Sequence, residues 1–180
     1  MEFTSVNKLY QEAFRKNWDR PAISNYHGET LHYKDVARRM EKLHIMFEEC
    51  GLEKGHKVAI CSRNQANWAV TFLAIMTYGA VPVPLLHEFK SANIHHLVNH
   101  SEAKILFVDD VIWEGLSESE MPDLQAIIQV NTFKILYAVD EKIVEAKNHL
   151  NELFGRKYPE AFESHMLNYY EDSADELAVI

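Results

Sequence analysis

The chain has 180 residues, 47% apolar and 11% aromatic, enough to bury a core and too apolar for an intrinsically disordered segment. That length suits one domain or one large subdomain. It carries 18 basic against 27 acidic side chains, a formal charge of −9 with no basic cluster, which excludes a nucleic-acid or anionic-membrane partner and points to a solvated, cytoplasmic surface.

Met1-Glu2-Phe3-Thr4 has neither the basic start nor the apolar run of a secretory leader. Val6, Leu9, Tyr10, Ala13 and Phe14 share one side of a predicted helix from Ser5 to Lys16. Pro21 breaks that pattern, and Ala22–Tyr26 with Thr30–Tyr33 read as a β-hairpin around His27-Gly28-Glu29. A second helix covers about Lys34 to Glu49, with Val36, Met40, Leu43 and Phe47 as its stripe and Gly51 as its stop.

From Lys57 the pattern is strand, helix, strand. Val58-Ala59-Ile60 ends in a polar turn, Ser62-Arg63-Asn64, and a helix follows from about Gln65 to Tyr78. Gly79 ends it and requires positive φ, because the next strand, Ala80 to Leu85, starts at once. Such short connections favour a parallel pair with a right-handed crossover. The helix is apolar on nearly every face, so it is expected between layers, with Trp68, Phe72 and Met76 largely buried. Pro82 and Pro84 remove two backbone donors from one side of their strand, which is therefore unpaired on that side or paired only before Pro82. Trp68 to Leu86 carries no charge, but Gly79, Pro82 and Pro84 leave a helix well short of the ~20 residues a membrane span needs.

Ser91–His100 reads as a short helix showing Ile94, Leu97 and Val98, then come a strand at Lys104–Val108, a helix beginning over Asp109–Leu116 and a strand at Ala126–Val130. Asp140 is a candidate cap for a helix to Phe154 closed by Gly155, and Pro159 suits the first turn of one more, to about Tyr170. Leu177–Ile180 is strand-like. Strands alternating with helices predict a layered α/β fold, a mainly parallel sheet flanked by helices, with the hairpin at its N-terminal side.

Few residues invite chemistry. His96 and His100 lie four apart on a helix, with His87 and His95 nearby, but no further ligand stands at a diagnostic spacing, and solvated histidines are expected. Asp109-Asp110 resembles the acidic pair of receiver domains, yet it follows a late strand, which favours a turn or helix-capping role. Gly51-Leu52-Glu53-Lys54-Gly55-His56-Lys57 precedes a strand and has its glycines too close for a phosphate loop, so it reads as a helix stop and a turn. Trp68 and Phe72 read as core. Cys50 and Cys61 read as reduced structural thiols. No catalytic, cofactor-binding or metal residue is assigned.

Several pieces resemble one family in the right order. Lys57–Ile60, Asn64, Trp68, Gly79-Ala80-Val81 and Pro84-Leu85 are similar to a conserved N-terminal run of the adenylate-forming superfamily, which includes acyl-CoA synthetases, peptide-synthetase adenylation domains and luciferases. Thr30-Leu31-His32-Tyr33-Lys34-Asp35-Val36, Ser101–Val108 and Ser173–Ile180 resemble three further family segments, the last leading toward its phosphate-binding loop. The resemblance implies that residues 1–180 are the N-terminal part of an AMP-binding domain, the first subdomain of a longer enzyme. Asn93–Val108 looks more like fatty-acid ligases, so the implied parent is a long-chain fatty-acid–CoA ligase using ATP, Mg²⁺ and coenzyme A. The family's Lys-bearing phosphate loop, its adenine-site motifs and its C-terminal domain have no counterpart in these residues. The segment is therefore expected to be an inactive scaffold whose partner is the remainder of its own polypeptide. The alternative is a stand-alone, non-enzymatic flavodoxin-like binding or interaction module.

Overall fold

The computed structural model describes residues 5–180, so the reading of Met1–Thr4 as lacking a leader lies outside the described residues. Ser5 caps helix α1 (Val6–Lys16), its hydroxyl accepting the Lys8 N–H. Strands β1 (Pro21–Ser24) and β2 (Thr30–His32) pair antiparallel as the expected hairpin. Helix α2 (Tyr33–Glu49) buries Val36, Met40, Leu43 and Phe47. At its end Gly51 takes φ 65°, and the Leu52 N–H reaches back to the Phe47 carbonyl, closing the last turn.

The remaining strands form one sheet: β3 (Lys57–Cys61), β4 (Val81–Leu85), β5 (Ile105–Val108), β6 (Ala126–Gln129) and β7 (Ile135–Ala138), in the spatial order β4-β3-β5-β6-β7. The first four run parallel and β7 is antiparallel to β6. Strand alternation divides the core. Val58, Ile60, Ile105 and Phe107 face α2 and α3 (Ala66–Tyr78), whereas Ala59, Cys61, Leu106 and Val108 face α4 (Ser91–His100), which contributes Ile94 and Val98. Both faces of β3 and β5 are covered, the condition under which parallel strands read as continuous apolar runs.

Gly79 has φ 91°, as its position between α3 and β4 requires. The prolines sit on the sheet edge. The Val81 N–H turns inward to the His56 carbonyl, so by alternation Pro82 and Pro84 turn outward, and their missing donors cost the ladder nothing.

Trp68, Phe72 and Met76 are largely buried, as expected, beside the fully buried Val70, Ala74 and Ile75 of α3, and Trp68 stacks on Phe72 with ring centroids 5.4 Å apart. Several other expectations are corrected. The helix expected over Asp109–Leu116 is a single turn, α5 (Asp110–Trp113). Strand β7 lies in a segment to which the sequence reading assigned no element. The helix expected from Asp140 to Phe154 is two helices, α6 (Glu141–Asn148) and α7 (Leu150–Lys157), divided at His149, and Gly155 lies inside α7. Asp140 does cap α6, accepting the Lys142 N–H.

No α-helix follows Pro159. Residues 158–180 form an extended strap with one 3₁₀ turn at Ser164–Met166. Phe162, Leu167 and Tyr169 enter the core singly, at spacings that fit no helical stripe. Leu177–Ile180 is not a strand; the Ile180 N–H bonds the Pro82 carbonyl of the sheet edge at 3.2 Å. Among the described residues no helix is long and apolar enough to cross a membrane.

Candidate functional site

In a doubly wound sheet the crevice that accepts ligands opens at the carboxyl ends of the strands, where the winding reverses. Here that point lies between β3 and β5, and its walls are the turn Ser62–Gln65 and Asp109. The crevice is closed by its own side chains. The Asp109 carboxylate accepts the Arg63 N–H at 2.8 Å and the Gln65 side-chain amide at 3.1 Å. Asp109 therefore braces the neighbouring turn, the first of its two expected roles, and makes no side-chain capping bond to its own helix. Asp110 turns the other way and accepts from the Gln129 side chain, which in turn accepts from the Thr132 hydroxyl.

The start of α3 is held equally firmly. Gln65 provides no side-chain cap. Instead Asn25, on the hairpin, accepts the Ala66 N–H at 2.7 Å. Asn67, one residue further, donates to the carbonyls of Val130 and Asn131 and accepts from Arg39. These bonds tie hairpin, α2, α3 and the β6–β7 turn into one rigid rim. A phosphate at this helix start would find the Arg63 N–H engaged and the Asp109 charge in its place. What the rim can do is fix backbone.

A second polar centre lies under the strap. Glu41 and His44, one turn apart on α2, are both buried. The Glu41 carboxylate accepts the Tyr158 hydroxyl at 2.6 Å and lies 3.6 Å from both His44 Nδ1 and Lys157 Nζ. Burial raises the Glu41 carboxyl, but the His44, Tyr158 and Lys157 contacts outweigh it and hold the group below its ordinary value. His44 Nε2 faces the Ala74 carbonyl at 3.0 Å, so it donates there. This cluster anchors the strap to α2 and α3. The one hint of it in the sequence is a Glu and a His three apart beside an apolar stripe.

The strap also reaches the start of α1. Asp172 accepts from the Ser5 hydroxyl and the backbone N–H groups of Val6 and Asn7. Burial works against the Asp172 carboxylate, yet these donors hold its pKa below the ordinary value.

The other sequence candidates are dispersed. His95 Nε2 accepts the Ser117 N–H, and His96 stacks on His100 with ring centroids 5.8 Å apart. Among the described residues no group of three His, Cys, Asp or Glu side chains is placed to hold a metal ion. The Gly51–Lys57 segment is a helix stop and a turn, with Gly51 and Gly55 at positive φ. Cys50 and Cys61 are buried and unpaired; burial, helped by Glu49 and Asp109 respectively, pushes their thiols up to about 12 and about 11. They are poor nucleophiles at neutral pH.

The model of one protein family, described as AMP-binding enzyme, matches residues 10–180. The medium-chain fatty-acid–CoA ligase of Escherichia coli (strain K12) is 25% identical over 134 residues, 71% of this chain and 24% of that protein. Surfactin synthase subunit 2 of Bacillus subtilis (strain 168) is 23% identical over 108 residues, 60% of this chain and 3% of that protein. The chain thus spans a quarter or less of the length of these relatives. Among solved structures, the Klebsiella oxytoca NpsA N-terminal subdomain in complex with 3-hydroxybenzoyl-AMSN superposes with a TM-score of 0.67 at 20% identity, covering 99% of this chain and 37% of that one. That likeness carries the fold, and the match over residues 10–180 carries the family: this chain belongs to the AMP-binding enzymes.

Proposed function

We propose that residues 1–180 are the N-terminal part of the AMP-binding domain of a fatty-acid–CoA ligase, serving as the scaffold for catalytic elements elsewhere in the polypeptide. The observation that carries this reading is the family match over residues 10–180 in a chain covering only 24% of the ligase it resembles. The strap supports it. Tyr170 bonds to Thr77 and Ile180 to Pro82, in the same order along both segments, so the strap runs in the direction of the chain it covers. A strand continuing that way from Ile180 would meet the outward carbonyl of Pro84 and reach the carboxyl end of the sheet. The preference for a fatty acid over an amino acid rests on the longer matched stretch, 134 against 108 residues.

In this reading the whole enzyme joins a carboxylate to the α-phosphate of ATP with release of pyrophosphate. Coenzyme A then displaces AMP. ATP, Mg²⁺ and coenzyme A belong to that larger protein; the turn before α3 is occupied by Asp109 and the Ala66 N–H by Asn25, which leaves a triphosphate no cradle here. A cytoplasmic location goes with the proposal, supported by the two buried, unpaired thiols.

Carboxylate-dependent ATP–pyrophosphate exchange tests it, measured side by side on this chain and on the protein extended beyond Ile180, with Mg²⁺ and a panel of carboxylates. The extended protein is expected to exchange with fatty acids and the present chain with none. Exchange by the short chain would put the catalytic site within these residues. A folded extended protein inactive with every carboxylate would sink the ligase reading.

A further inference from the structure

A cavity of about 160 Å³ opens between α2, the β6–β7 hairpin and the start of α7. It shares Arg39 with the rim described above. Its floor is apolar and includes Met46, Ile128 and Phe133, the first two almost completely buried. Its rim carries three cations, Arg39, Lys42 and Lys147, and no carboxylate lines it among the described residues. That is unusual in a chain of net charge −9.

Arg39 is already matched, with Glu29 at 3.3 Å and Asn67 at 2.8 Å. The two lysines are not. The Lys42 ammonium meets the Asn151 carboxamide oxygen at 2.7 Å and lies over the Phe154 ring at 5.5 Å, both uncharged partners. Lys147 lines the same cavity from α6. Burial lowers both lysine pKa values, with Arg38 adding to the effect on Lys42 and Lys42 adding to that on Lys147. Two like charges turned toward a partly dry cavity are held there at a cost that a bound anion would remove.

An independent observation comes from the floor. Phe133 has φ 56°, in the left-handed region that a bulky side chain avoids and that hairpin turns usually give to Gly or Asn. That conformation directs the ring into the cavity wall, edge-on to Phe107 at 6.3 Å. Backbone strain of this kind persists where the surroundings over-determine it, often at ligand sites.

We propose that this cavity binds a small monocarboxylate with an apolar tail, its head between Lys42 and Lys147 and its tail on Met46 and Phe133. The volume suits a tail of about one benzene ring or a short alkyl chain, since cavities near ~150 Å³ take up benzene. A charged head and an apolar body in one ligand use both halves of the wall, which neither inorganic anions nor alcohols do.

The test needs this chain alone and no nucleotide, so its failure would leave the ligase reading untouched. Hexanoate, hexan-1-ol and inorganic phosphate are titrated separately, with calorimetry for affinity and methyl NMR of the methionines for location. Hexanoate is expected to saturate, to shift the Met46 methyl, and to bind about tenfold more tightly than hexanol or phosphate. Lys147→Gln, on a partly exposed helix position, and Lys42→Gln are each expected to weaken hexanoate about tenfold with the thermal midpoint retained. Hexanol binding as tightly as hexanoate would reduce the site to an apolar hole, and phosphate doing so would reduce it to a charge patch. Either result overturns the proposal, as does absence of saturation by hexanoate or undiminished binding in the Lys42→Gln/Lys147→Gln double variant.

Discussion

Replacing Gly79 by Ala tests the junction on which the strap depends. Two costs are expected, and they are separable. The residue sits at φ 91°, where an L side chain is strained by ~1–2 kcal/mol. A Cβ there would also lie 2.8 Å from Cγ and 2.9 Å from Cδ1 of Tyr170, closer than carbon atoms approach. The ring is not free to retreat. Its own backbone N–H bonds the Thr77 carbonyl, its hydroxyl donates to Glu176, and the Lys54 ammonium lies 4.3 Å from its centroid. Overpacking of this kind adds ~1–3 kcal/mol. Gly79→Ala should therefore destabilise by about 3 kcal/mol in the intact chain, but by only ~1–2 kcal/mol in a Tyr170→Ala background. Urea denaturation of the two single variants and the double variant closes the cycle. A coupling energy within about 0.5 kcal/mol of zero would show that Tyr170 does not rest on Gly79, and a neutral Gly79→Ala would refute the left-handed junction as well.

Phe72→Ala should cost ~2–3 kcal/mol because the ring keeps part of its surface in water, against ~3–5 kcal/mol for the fully buried Phe107→Ala; equal urea midpoints for the two variants would contradict the layer assignment. Asp172, whose folded pKa is depressed, contributes stability above its unfolded pKa that is lost as the pH falls through the folded one. Asp172→Ala should accordingly lose ~1 kcal/mol at neutral pH and show a shallower decline in urea midpoint below about pH 4; an unchanged pH profile would count against the α1 capping contact.

The sequence was most informative where local and tertiary demands coincide. Val58–Ile60, Gly79 and Asp140 each carry a residue pattern whose physical reason is complete within a few positions, and the structure places them as expected. Strand β7 was illegible because all four of its residues are half-buried, giving no alternation, and because its turn puts Phe133 where Gly or Asn would have signalled a hairpin. The division between α6 and α7 falls at His149, with neither Pro nor Gly to mark it, while Gly155 is tolerated inside a helix. The strap is no helix because Phe162, Leu167 and Tyr169 reach the core at spacings of five and two residues, Phe162 on Trp18 and Phe154 and Tyr169 on Phe14, which no helical stripe would give. The site-level contacts share that long range. Asn25 with Ala66, Asp109 with Arg63, and Lys42 with Lys147 are each unremarkable residues until the fold brings them together.

The prolines of β4 have a bearing on biosynthesis. The strap that lies along this edge is the last of these residues to leave the ribosome, so the rest of the sheet can assemble while the edge is still bare. A bare edge strand ordinarily offers alternating donors and acceptors to any passing chain. With Pro82 and Pro84 facing out, this one offers carbonyls without the matching N–H groups, and a second nascent copy cannot complete a ladder against it. A segment that needs only acceptors, as the Ile180 N–H does, loses nothing. The edge is thus guarded during the interval when it is most exposed and still receptive to its own later residues.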